Sequence, residues 1–428
     1  MAKTFTINAK PSLPGPKDIH RAVLPNGITV LARSNFHNPS VNMGGYLPAG
    51  AIFESDSKLG LADFVSASLM RGTQKRSFDA IYNELESVGA SMGFDAGVHN
   101  TSFGGRSLVE DLPLLLKLLS ESLCRPVFPK NEIEKLRAQW LTGLAMRAQD
   151  TSDMAAMAFD RMLFDGHPYS RPSGGVVETV ESITRKDMEE FHRSYYGPRG
   201  MVIAIVGAID PIKAVDAVER AIGGWQVPGQ VGAPTMPPLK PVKKTVRHHH
   251  VLAGKSQSDL VIGMIGPRRK DPEFFSASLG NSILGQFGMM GRIGEVVREK
   301  SGLAYYAFSS LNAGVGPGSW EVSAGVNPKN LKKAIDLIEK ELRRFIKSGV
   351  TKDELADSQS SYIGRLPLSL ESNSGVVGAM LNIERYQLGD DYYYRYESLV
   401  RAVTRADVLE TARKYIDPDR LVISTAGP

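Results

Sequence analysis

The feature that most limits how this chain can fold is an internal repeat. The segment from Ser182, SITRKDMEEFHRSYYGPRGMVIAIVG, aligns without a gap on the segment from Ala402, AVTRADVLETARKYIDPDRLVISTAG, at an offset of 220 residues. Thr184, Arg185, Asp187, Tyr195, Pro198, Val202, Ile203 and Gly207 face Thr404, Arg405, Asp407, Tyr415, Pro418, Val422, Ile423 and Gly427, and with Glu190/Glu410 and Arg193/Arg413 the segments share ten identities in 26 positions. A weaker echo pairs Lys130 and Glu132 with Lys352 and Glu354. A repeat of this length implies two copies of one domain-sized fold. Residues 227–244, VPGQVGAPTMPPLKPVKK, are rich in Pro and Gly and suit an extended linker. The expected organisation is therefore an N-terminal domain over 1–226, a linker over 227–244 and a C-terminal domain over 245–428.

Each copy mixes strands and helices. Residues 21–33, RAVLPNGITVLAR, alternate around Pro-Asn-Gly, a strong hairpin signal. Residues 43–53 predict a second strand. Residues 60–71 predict a helix with Leu61, Phe64, Val65 and Leu69 on one face and Gly72 at its end. Further helices are predicted over 78–88, 112–123 and 133–146, and an apolar strand over 201–206 closes the copy. The expected class is α+β: two duplicated α/β sandwich domains, each a mainly antiparallel sheet covered by helices.

Composition excludes several functions. At 428 residues, 42% hydrophobic and 23% charged, the chain has the make-up of an ordinary globular protein. A net charge of +5 with no block of like charges gives no nucleic-acid footprint. Cys124 is the only cysteine, which removes internal disulfides and thiolate zinc clusters. No stretch approaches 18 uninterrupted apolar residues, and the first twenty carry no apolar signal core, so the expectation is a cytoplasmic protein without a membrane partner.

Three segments, taken in order, resemble the pitrilysin-type zinc peptidases, a family that includes insulin-degrading enzyme, mitochondrial processing peptidase and the core proteins of respiratory complex III. GLADFVSASLMRGT, from Gly60, is similar to the helix carrying that family's inverted motif His-x-x-Glu-His. Residues 166–210 are similar to the end of its first domain. NSILGQFGMMGRIGEVVREKSGLAYYAFSS, from Asn281, is similar to its substrate-binding segment. The resemblance implies the duplicated fold, and it also marks a departure. Where two histidines and a glutamate would hold zinc and activate water, this chain has Asp63, Ser66 and Ala67. The third ligand, a glutamate expected near Thr142, is missing too, since no acidic residue lies between Lys135 and Gln149. The expectation is no metal and no cofactor in this chain, with Asp63 reduced to a solvated helix residue.

The third segment keeps what the first lost. Arg298 precedes Tyr305 by seven residues, across a predicted helix over 289–300, a Gly302 cap and a strand starting near Leu303. From the residues alone Tyr306 is an equal candidate, on the opposite strand face. The family register selects Tyr305, and the resemblance implies that Arg298 and Tyr305 contact a substrate carbonyl beside zinc held by a facing domain. It further gives Gly285, Gly288 and Gly291 a substrate-contacting role. As commonplace alternatives, Arg298 can serve as a helix-end cation, His248–His250 as a polar strand start, and His167 and His192 as residues without chemistry. The reading is a non-catalytic, substrate-binding subunit of a heterodimeric zinc peptidase acting on peptides, inactive alone. Its partner would be a homologous subunit bearing the zinc motif. The alternative classes are a catalytically inactive structural protein like the complex III core proteins and a free-standing peptide-binding module.

Overall fold

The computed structural model describes residues 13–428. Among them, the strands form two sheets. The first contains β1 (His20–Val23), β2 (Thr29–Ser34), β3 (Ser40–Leu47), β4 (Ser91–Ala96), β5 (Thr101–Leu108) and β6 (Val202–Gly207), in the order β1-β2-β6-β3-β5-β4. The second contains β7 (Val246–Val251), β8 (Ser258–Ile265), β9 (Ala304–Leu311), β10 (Ser319–Val326) and β11 (Val422–Gly427), in the order β7-β11-β8-β10-β9. Strand for strand the second order repeats the first without its β1. In both, one parallel pair is followed by antiparallel steps: β2 runs parallel to β6 with Thr29 opposite Val202, and β7 parallel to β11 with Val246 opposite Val422. The fold is α+β and duplicated. The repeat detected in sequence is the helix and final strand of each copy, Arg185–Tyr195 into β6 and Arg405–Tyr415 into β11. Each helix opens with the same capping box, Thr184 with Asp187 and Thr404 with Asp407.

The closing strands are buried on both faces because each sheet is covered twice. On β6, Ile203 and Ile205 join Phe64, Leu69, Leu115 and Phe191 in the core of the first copy. The alternate residues Val202, Ala204 and Val206 pack on Val376, Val377 and Met380 of the helix Asn373–Tyr386, which belongs to the second copy. The exchange is reciprocal. The helix Thr151–Leu163 of the first copy lays Ala155 and Phe159 on Val261 of β8 and on Val422 and Ala426 of β11. Each sheet thus owes one covering layer to the other copy, which fixes the two copies against each other.

Two sequence expectations shift. The strand expected over 43–53 ends at Leu47, because Pro48 interrupts it and the chain turns into a 3-10 segment at Ala51–Phe53. The helix expected over 289–300 begins later: Gly288, Met289, Met290 and Gly291 have non-helical backbone, and the last turn, Glu295–Glu299, is a π-helix. His248–His250 do lie on a strand, β7, where the His249 ring is 2.9 Å from Thr425 Oγ1.

Candidate functional site

The helix that aligns with the zinc motif is Leu61–Ser68. Its start is held by Glu54, whose carboxylate accepts from the Gly60 and Ala62 amides at 3.1 and 2.7 Å. Burial pushes the Glu54 carboxyl up to about 7 even though those amides favour its ionised form. Leu61, Phe64, Val65 and Leu69 face the core, as their spacing predicts. Asp63, Ser66 and Ala67 occupy the three motif positions.

Asp63 is not a solvated residue. Its carboxylate accepts from the Gly174 amide at 3.3 Å, and burial raises its pKa to about 6, with the nearby Asp95 charge adding to the shift. The Ser66 hydroxyl donates back to the Asp63 carbonyl at 2.9 Å, and Ala67 offers no ligand atom. The helix Lys130–Arg147, where a third ligand would sit, turns Thr142 outward, with its hydroxyl bonded to the Ala138 carbonyl. Trp140 and Arg147 point inward instead. The Trp140 ring meets Phe64 edge-on, and its Nε1 donates to the Gly174 carbonyl at 2.9 Å. Arg147 donates to the carbonyls of Ser173 and Gly175 at 2.7 and 2.6 Å. The loop Pro172–Gly175 is thereby pinned over the motif helix. It fits only because Gly175 has no side chain: a Cβ there would lie 2.2 Å from the Leu59 carbonyl oxygen, and its φ is +74°. The donor set does not fit zinc, since a capped carboxyl, a self-bonded hydroxyl, a methyl and a guanidinium fill the site. Among the described residues no group of three or more His, Cys, Asp or Glu is placed to hold a metal ion.

The second candidate lies on β9, an edge strand of the second sheet. The π-helical turn Glu295–Glu299 carries Arg298 and closes when Gly302 and Leu303 donate to the carbonyls of Arg298 and Val297 at 2.9 and 3.0 Å, with Gly302 at φ +60°. β9 starts two residues later. Arg298 is partly exposed, with Glu299 3.6 Å from its guanidinium. Tyr305 is 84% exposed. Tyr306 points the other way, and its hydroxyl donates to Asp259 at 2.5 Å. Asp259 is 2% exposed and also accepts from Gln257 and, across the two copies, from Thr151. The two tyrosines therefore divide into a free phenol and a structural one.

The glycine segment divides in the same manner. A Cβ on Gly285 would lie 2.2 Å from the Ser309 amide, and one on Gly291 would lie 2.7 Å from the Gly285 amide, so these two are packed backbone. Gly288, at φ +60°, faces open space beside the exposed Met289. Of the remaining histidines, His167 accepts from the Tyr169 amide, and His192 lies 2.8 Å from the Leu123 carbonyl with its pKa lowered by burial to about 4. Sequence reasoning missed Glu54, Trp140 and Arg147, which seal the motif helix. The usable signal was Pro172-Ser173-Gly174-Gly175, a turn sequence able to lie close on backbone.

Residues 29–177 match Insulinase (Peptidase family M16), and residues 182–362 match the Peptidase M16 inactive domain. The chain belongs to the M16 peptidase family. It is 28% identical over 424 residues to an uncharacterized zinc protease of Streptomyces coelicolor, covering 96% of this chain and 90% of that one. It is 26% identical over 378 residues to the β subunit of the mitochondrial-processing peptidase of Saccharomyces cerevisiae, covering 83% and 79%. The crystal structure of a peptidase M16 inactive domain from Pseudomonas fluorescens superposes with a TM-score of 0.90 at 25% identity, covering 96% of this chain and 98% of that one. No helix among the described residues is long and apolar enough to cross a membrane.

Proposed function

We propose that this M16 chain is the substrate-binding subunit of a two-chain zinc peptidase, with the zinc held by a homologous partner that carries His-x-x-Glu-His. The observation that carries the proposal is Tyr305. A phenol on an edge strand, 84% exposed and following a π-turn that presents Arg298, has no packing role in this chain. Guanidinium and phenol are both hydrogen-bond donors suited to a peptide carbonyl oxygen that gains negative charge as it is attacked. Arg298 and Tyr305 would supply those donors across the subunit interface, and Gly288 would line the path of the peptide backbone. In this reading residues 1–226 form the half that lost the metal and residues 245–428 the half that grips. Only one cysteine in 428 residues supports a reducing compartment such as the cytoplasm.

The test is reconstitution. The isolated chain should leave peptides intact, and mixing it with a zinc-motif subunit should produce peptidase activity that Arg298→Ala abolishes while the heterodimer persists. Activity of the isolated chain that a chelator removes would refute the division of labour. A complex that forms but stays inactive, or one indifferent to Arg298, would leave the structural-subunit reading in its place.

A further inference from the structure

A broad cavity lies away from both candidate sites, among helices of the first copy. Open to solvent on one side, it has a volume of about 1020 Å³, the upper end of what small-molecule sites occupy. Three helices wall it: Leu112–Cys124, Arg185–Tyr195 and Pro211–Ile222. Lys75, Lys117, Arg125, Arg193 and Arg220 line it, and all five are exposed. Among the described residues none of the five has a carboxylate within 4.0 Å, whereas Arg76, next to Lys75, is paired twice, with Glu84 and Glu121.

Glu121 is the only acidic residue in the lining, and it pairs with Arg76 at 2.6 Å, which it shares with Glu84. Five cations from four separate stretches of chain thus line one hollow with no direct ion pair among the described residues, only Lys117 feeling the more distant charge of Glu84. Such convergence is electrostatically unfavourable without a ligand and favourable with a multivalent anion. The inner wall is of another character. Leu116 and Tyr196 are buried there, and the half-buried Trp225 stands at the rim. The Tyr196 ring stacks on His192, whose imidazole stays neutral at physiological pH. The cavity therefore joins a strongly cationic mouth to an apolar, aromatic wall.

We propose that this cavity binds a small polyphosphate-class anion, the five cations taking the phosphates and Trp225 stacking on a flat ring attached to them. The site is independent of the peptidase reading, since no lining residue belongs to the motif helix or to β9. Titration calorimetry on the full chain with ATP and with inorganic triphosphate tests both parts. Saturable ATP binding is expected, weakened at least about tenfold by Lys117→Glu combined with Arg220→Glu, and also by rising salt. Lys213→Glu, on the same helix but outside the cavity, should leave binding unchanged. Trp225→Ala should weaken ATP and spare triphosphate. If triphosphate binds as tightly as ATP, the anion site stands and the ring contact is refuted. Failure of both anions to saturate below about 1 mM overturns the proposal, as does binding that survives the double charge reversal.

Discussion

The helix Leu61–Ser68 and the turn that carries Arg298 are the two sites singled out in the sequence, and the structure packs them in opposite ways. Over the first, Trp140 and Arg147 pin the loop Pro172–Gly175, and the one acidic side chain left at the motif is capped by the Gly174 amide. At the second, nothing covers Tyr305. Close packing fills the first site, and a sealed site gains burial. An exposed tyrosine on an edge strand gains none. The difference teaches that exposure is the informative quantity here, because packing explains the first site fully and leaves the second without a structural reason.

That contrast requires the two copies to act as one body, and the helix Thr151–Leu163 is one of the two that join them. Phe159 is 1% exposed and sits on the second copy's sheet. Phe159→Ala should cost about 3–5 kcal/mol of unfolding free energy in a urea titration. A cost below about 1 kcal/mol, or two separate transitions, would mean that the copies are not coupled as described.

The sealed site has its own signature in pH. Asp63 titrates near 6 when folded, against 3.8 ordinarily, so the folded chain holds this proton more tightly than the unfolded chain does. That contribution is present in full below the unfolded value and is lost as pH rises through about 6. Asp63→Asn, which keeps an acceptor for the Gly174 amide, should therefore stabilise the protein by about 2 kcal/mol at pH 8 and by little near pH 4. Equal effects at both pH values would mean that Asp63 is solvated after all.

Smaller still is the contrast between neighbouring tyrosines. Tyr306→Phe removes a donor from buried Asp259 and should cost about 1–2 kcal/mol, whereas Tyr305→Phe should stay within about 0.5 kcal/mol in the same unfolding assay. Reversal of that order would contradict the placement of the two rings on opposite faces of β9.

Much of this was legible before the structure. The repeat located the paired closing strands because both copies need the same capped helix and the same doubly buried strand. Pro25-Asn26-Gly27 located the β1–β2 hairpin because a tight turn demands those residue types. That Asp63, Ser66 and Ala67 stand in place of the family's two histidines and glutamate was read directly from residue identity. What escaped was non-local. The helix Thr151–Leu163 packs on the other copy's sheet, so its apolar spacing, Ala155, Phe159 and Leu163, gave no hint of which partner it covers. β4 and β5, rich in Gly and polar residues, carried too weak an alternation to stand out. That Trp140 and Arg147 of Lys130–Arg147 face the motif helix was not foreseen, because helical phase is set by contact with Phe64, and one residue turns a side chain by about 100°. The late start of the helix after Gly291 follows from four consecutive non-helical residues that a Gly-Met-Met-Gly string only partly announces.

The central claim is that Tyr305 is kept for substrate and Tyr306 for the fold. Turnover of a heterodimer reconstituted with a zinc-motif subunit separates the two most directly, comparing Tyr305→Phe with Tyr306→Phe at equal concentrations of assembled complex. Tyr305→Phe should lower kcat by about 10²–10³, the usual consequence of losing one donor to a developing oxyanion, and Tyr306→Phe should leave kcat unchanged. Equal losses from the two variants, or none from Tyr305→Phe in an active complex, would contradict the account.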